Sequence, residues 1–167
     1  MLTSKMLEKL NAQINAEFSA FYTYLSMSAW FESQGLPGCA AWMKHHAEEE
    51  QTHAMKIFDF VHDRRGVVQL GALPAPRTSW SSPLEAFEDA FKHELHVTEL
   101  IHFLVDLARE ERDHGTESFL KWFVDEQVEE EKVVDDAIQA LRRVGDHAPG
   151  LFLLDRELGR QAAGGGD

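Results

Sequence analysis

Residues 43–60 read MKHHAEEEQTHAMKIFDF. Alternating steps of three and four keep side chains on one helical face. Threaded that way, the stretch puts Met43, His46, Glu50, His53, Ile57 and Phe60 on a single seam. The ends of the seam are apolar. Its middle carries a carboxylate, with a histidine one turn further on. Such a seam fits a long helix in a bundle whose interior holds charge at one level.

The same threading works in three other segments. One reads Leu7, Leu10, Ile14, Glu17, Phe21, Tyr24, Ser28, Phe31. Another reads Leu84, Phe87, Phe91, Glu94, Thr98, Ile101, Val105, Ala108. The last reads Leu120, Phe123, Gln127, Glu130, Val134, Ala137, Leu141. Each seam is mostly apolar and is interrupted near its middle by a carboxylate.

Breakers separate the four segments. They are Gly35-Leu36-Pro37-Gly38, the irregular stretch 66–82 with Gly66, Gly71, Pro74 and Pro76, the triplet Asp113-His114-Gly115, and 145–150 with a glycine at each end. The pattern predicts helices over 4–33, 38–64, 83–112 and 116–144, with a short amphipathic piece at 149–159. Ser82-Pro83-Leu84-Glu85 reads as a start signal, with Ser82 as cap, proline at the first helical position and Glu85 where a capping-box acid belongs. Pro149 opens the last piece in the same way.

Helices of this size are about 40 Å long at 1.5 Å per residue. Short breaks make antiparallel hairpins of the first two and the last two. The middle connection is about 17 residues and reaches ~55 Å when extended. That allows the second and third helices to be parallel, joined by one crossover. The expected fold class is all-α: an up-down four-helix bundle with one long crossover connection and a short fifth C-terminal helix. One domain is expected over 1–160, with a disordered tail over 161–167.

Composition excludes several partners. The chain has 167 residues and a formal net charge of −13. Such acidity argues against nucleic acid or an anionic membrane surface. No apolar run resembles a signal peptide or a spanning helix. The single cysteine, Cys39, excludes an intrachain disulfide and fits a reducing compartment. A cytoplasmic location is expected.

In long antiparallel helices the middles meet. Glu17, Glu50, Glu94 and Glu130 should therefore converge inside the bundle, with His53 and Gln127 beside them. Each unpaired charge taken out of water costs at least several kcal/mol. No lysine or arginine lies on the seams to offset that cost. Either the acids stay protonated or cations bind, and a pair of divalent ions balances four carboxylates. The spacing also repeats. Glu17 to Glu50 is 33 residues, as is Glu94 to Gln127; Glu50 to His53 is three, as is Gln127 to Glu130. The two hairpins read as matching halves of a two-metal site. Oxygen-rich ligands with one imidazole suit Fe(II) or Mn(II) better than structural zinc.

Glu17, the run Glu49-Glu50-Gln51-Thr52-His53, Glu94, the segment from Phe119 to Glu131, Met27-Ser28-Ala29-Trp30 and Gly150-Leu151-Phe152 together resemble prokaryotic non-haem ferritin over nearly the whole chain. The resemblance implies a ferritin-like bundle, a homo-oligomeric hollow shell of 24 subunits, and a ferroxidase centre. It implies that Glu17, Glu50 and His53 hold one iron, and that Glu50 bridges to a second held by Glu94 and Glu130. Gln127 would lie beside the second iron. Glu49, Glu126 and Glu129, with Glu130, would form a third, more exposed iron site. Tyr24 would stand next to the centre, hydrogen-bond a ligand and supply an electron. The short last helix would line a four-fold axis. The implied reaction is oxidation of Fe(II) by O2 or H2O2, with Fe(III) passing to a mineral core.

Rival readings meet specific obstacles. A haem-binding bacterioferritin would carry a methionine where this chain has Gln51-Thr52, and a histidine where it has Glu130, so no haem is expected. An organic-substrate di-iron enzyme would carry Glu-x-x-His twice; here the second copy is Gln127-x-x-Glu130. A starvation-type ferritin would build its site between subunits and lack the fifth helix. A purely structural bundle leaves four buried acids unexplained. The other eight histidines, His46 among them, read as solvated surface and receive no site.

Overall fold

The computed structural model describes residues 1–164, and its regular elements there are helices. They are α1 (Ser4–Ser33), α2 (Pro37–Asp63), α3 (Pro83–Glu110), α4 (His114–Val144) and α5 (Ala148–Gly164). The four long helices lie within two residues of their expected bounds. The fifth is longer: it continues through Gly159 to Gly164, so residues 161–164, expected in a loose tail, are helical. The rest of that tail, 165–167, lies outside the described residues.

Local chemistry starts each long helix. Thr3 caps α1 by accepting from Met6 N at 3.0 Å. Ser82 caps α3 by accepting from Glu85 N at 3.1 Å, with Pro83 in the first turn. Glu85 departs from the expected capping box. Its carboxylate accepts from Ser81 N and Ser81 Oγ, each at 2.6 Å, one residue before the cap. Asp113 caps α4 and also accepts from the Arg64 guanidinium at 3.0 and 3.1 Å, tying the end of α2 to the start of α4.

The crossover, residues 64–82, is fastened along α1. Asn11 pairs with Val67 O and Gln69 N, Asn15 with Ala72 O and Gly71 N, and Ser26 with Arg77 O. The contact points advance together, so the crossover runs in the direction of α1. It therefore returns the chain to the end where α2 began. That makes α3 parallel to α2.

The seam residues are buried or half-buried throughout. They form two apolar cores. One gathers Met6, Leu10, Ile14, Ile57, Ile101, Leu120 and Phe123. The other gathers Phe31, Met43, Phe87, Val134 and Leu141. Along each of the four long helices the carboxylate falls between the residues of one core and those of the other.

The α2 N-terminus is capped from a distance. Its preceding residue, Leu36, supplies no side-chain cap. Instead Asp155 of α5, buried, accepts from Gly38 N at 3.1 Å and Cys39 N at 2.8 Å. The approach is possible only for glycine at 38, because a Cβ there would lie 1.7 Å from the Asp155 carbonyl oxygen. Asp155→Ala should cost about 1–3 kcal/mol, the range for a lost cap that leaves buried donors unpaired. Thermal unfolding and protease cleavage after residue 148 measure this. An unchanged melting temperature and an uncut α5 would show that the cap does not hold the helix.

Candidate metal centre

Four helices deliver one carboxylate each to the layer between the cores. Glu17 and Glu94 have no exposed surface, Glu50 is 1 % exposed and Glu130 is 5 % exposed. No lysine or arginine forms an ion pair with any of them among the described residues. Glu17 Oε2, Glu50 Oε2 and Glu130 Oε2 are buried without a hydrogen-bond partner. Unpaired buried polar atoms are rare enough in folded proteins to need a cause.

Neutral donors position one oxygen of Glu17 and both of Glu94. Gln13 Nε2 donates to Glu17 Oε1 at 2.7 Å, one turn away on α1. The Tyr24 hydroxyl donates to Glu94 Oε1. Gln127 Nε2 sits 3.3 Å from both Glu94 Oε2 and the Glu94 carbonyl oxygen, and 3.2 Å from Thr98 Oγ1. Gln127 thus orients Glu94 through its amide N–H.

Histidine completes the layer. His53 Nδ1 lies 3.4 Å from Glu50 Oε2, and His53 Nε2 lies 3.8 Å from Glu126 Oε1. Ligand atoms of Glu17, Glu50 and His53 all lie within 4.8 Å of one another. Two ligands held by bonds of about 2.1 Å at angles of 90–110° are about 3.0–3.4 Å apart, so the His53–Glu50 separation suits a shared ion.

Proton affinities follow the crowding. Burial, then the neighbouring Glu130, pushes the Glu94 carboxyl up to about 7. Burial pushes Glu130 up to about 7 as well. Burial, then the charges of Glu94 and Glu17, raises Glu50 well above the usual carboxylate range. Burial and the Glu94 and Glu50 charges raise Tyr24. Without cations the layer therefore holds protons that free carboxyls would release.

The expected third group splits by exposure. Glu49 and Glu126 are half-buried and Glu129 is exposed. All three line, with Glu130, a pocket of about 290 Å³ that is bordered by Gln161 and Ala162 of α5. That pocket also contains His46, expected at the solvated surface. It is not: His46 is 5 % exposed, with its ring centroid 3.8 Å from that of Trp42 and 5.6 Å from that of Tyr24. Burial lowers its pKa to about 4. Its place on the α2 seam, among side chains that face inward, is the sequence signal for that burial.

The described site is an all-helical bundle whose interior holds four carboxylates and an imidazole between two apolar cores, a donor set that could hold metal ions. Residues 7–144 match the family described as ferritin, ferritin-like domain. The chain belongs to that family. A bacterial non-heme ferritin of Bacteroides fragilis (strain 638R) is 40% identical over 161 residues, covering 96% of this chain and all of its own length. One from Staphylococcus saprophyticus is 42% identical over 158 residues, 95% of each chain. The novel open pore ferritin of the hyperthermophilic archaeon Archaeoglobus fulgidus, a crystal structure, superposes with a TM-score of 0.94 at 48% identity, covering 95% of this chain and 98% of that one. Membership supports a role in iron storage.

Proposed function

We propose that this chain oxidises Fe(II) at a two-iron centre inside its bundle and passes the product to a ferric mineral enclosed by a cage of identical subunits. The observation that carries the reading is the set of buried carboxylate oxygens without partners in a layer with no neutralising cation. A pair of divalent ions supplies both the missing charge and the missing partners.

Iron is the substrate here. Glu17, Glu50 and His53 would receive one Fe(II), and Glu50, Glu94 and Glu130 the other. Gln127 and Tyr24 keep Glu94 in place through the hydrogen bonds described above. We also assign Tyr24, by resemblance, the capacity to donate an electron. The pair gives up two electrons, which with two protons reduce O2 to H2O2, or H2O2 to two waters. Imidazole from His53 serves only the first iron. The second, held by carboxylates alone, is bound less firmly and is the one that moves on. The acidic pocket at Glu49, Glu126 and Glu129 offers it a next station.

No haem enters this reading, because Gln51-Thr52 supplies no methionine for one. Oligomerisation is supported by apolar side chains left exposed, Phe152 and Leu153 on α5 and Leu25 on α1 among them. We take the cage to have 24 subunits, as the resemblance implies, and to be cytoplasmic. Among the described residues, no helix is long and apolar enough to cross a membrane.

Anaerobic titration of metal-free protein with Fe(II), followed by oxygen, tests the proposal. Saturation is expected at about two to three irons per chain, with rapid oxidation once oxygen is added. Absence of stoichiometric binding would leave the fold standing and remove the ferroxidase reading.

A further inference from the structure

We propose that His46 is a metal ligand, and that together with Glu49 and Glu130 it holds a third divalent cation beside the two-metal layer. The proposal deepens the reading above and rests on it. His46 stands outside the carboxylate set that the resemblance implies for the third site.

Three observations carry it. His46 Nδ1 lies 3.1 Å from Glu130 Oε2 and 3.3 Å from Glu49 Oε2. Ligand atoms of the three residues all lie within 4.8 Å of one another. Ligands bound at about 2.1 Å and at angles of 90–110° sit about 3.0–3.4 Å apart, so both separations suit a shared ion. Next, neither contact has hydrogen-bond geometry: Nδ1 and Glu130 Oε2 are both buried without a partner. A histidine that merely filled the core would be expected to satisfy its buried nitrogen. Finally, the ring is held in place. Tyr24 stacks against it and the Trp42 ring packs on it at a tilt of 41°, which holds the imidazole in place before any ion arrives.

The site has a route to solvent. The pocket that contains His46 reaches the surface at Glu129 and Gln161, both exposed. One nitrogen and two carboxylate oxygens select borderline divalent cations such as Fe(II), Co(II) or Zn(II) over Mg(II) or Ca(II), which prefer all-oxygen sites. Glu130 faces both groups, so the third ion would draw on a carboxylate that the second iron also uses.

Co(II) titration of the intact, metal-free cage tests this, with binding followed by equilibrium dialysis and by visible d–d absorption. Wild type should bind about three Co(II) per chain. His46→Gln should keep two and lose at least tenfold in affinity for the third, with a matching loss of absorption, whereas Glu17→Ala should lose an ion from the layer and keep the third. Wild-type crystals soaked in Co(II) give a readout that needs no variant: a cobalt anomalous peak within bonding distance of His46 Nδ1. A third cobalt bound only by carboxylates, or His46→Gln binding all three with unchanged affinity, would overturn the His46 assignment and leave the two-metal centre intact. Wild type that takes up no Co(II) or Fe(II) would remove the two-metal reading and this inference with it.

Discussion

Glu50→Ala should lower the rate of Fe(II) oxidation on the order of a hundredfold or more and abolish paired iron binding. Removing a residue that only orients a metal ligand costs 10–100-fold in affinity or activity, so loss of a ligand shared by both irons belongs at or beyond the upper end. Glu50 is nearly fully buried, has one orphan oxygen, lies against Glu17 and His53, and feels the charge of Glu94. The same change should make the metal-free protein melt higher than wild type above neutral pH, because it removes one of four mutually repelling acids. A loss of iron binding together with lower apo stability would point to a structural role for Glu50. Stopped-flow oxidation and calorimetry of the apo-protein separate the two outcomes.

Metal-free wild type should lose thermal stability as pH rises from about 6.5 to 8. The folded-state carboxyls of Glu94 and Glu130 are raised to about 7, and burial with the Glu94 and Glu17 charges raises that of Glu50 well above the ordinary range. An unfolded carboxyl releases its proton near 4.5. The stability that goes with these protons is fully present below that value and is lost as pH rises through the folded pKa. Two histidines, the buried His46 and the half-buried His93, oppose the trend at lower pH. His46 and His93 are lowered to about 4, so their contribution grows as pH rises through 6.5 and is then constant. The unfolded imidazoles finish releasing their protons by about pH 7.5, beyond which the acids alone act, and one pKa unit corresponds to about 1.4 kcal/mol. A divalent ion that replaces the protons, Zn(II) for instance, should flatten or reverse the slope, since binding releases protons. Melting curves of apo and Zn(II)-loaded protein at pH 6.5, 7.25 and 8 give the comparison. An apo-protein equally stable across that range would mean the layer does not carry the strain assigned to it.

How much was legible in the sequence depended on distance along the chain. The 3–4 seam reports which side chains face inward, so the helices, the buried acids and the pairing of Glu50 with His53 could be read from spacing alone. The Gln13–Glu17 bond is an i, i+4 contact and was readable in principle. Contacts between distant segments obey no such rule. Asp155 caps a helix that starts more than a hundred residues earlier, and nothing local to α5 announces it. Gly159 looks like a stop for the last helix, yet it lies over Gly38, 3.1 Å from its Cα if given a Cβ, and the helix runs on. His46 was on the seam, but its partner Glu130 comes from α4, and only the fold brings the two nitrogen- and oxygen-bearing groups together.

The most direct test of the central claim is a crystal structure of the protein soaked anaerobically in Fe(II), with anomalous data collected at the iron edge. Two peaks within about 4 Å of each other are expected inside the bundle, one against Glu17, Glu50 and His53 and the other against Glu50, Glu94 and Glu130. Iron found only on the outer or pocket surface, with the four buried carboxylates left bare, would contradict the account.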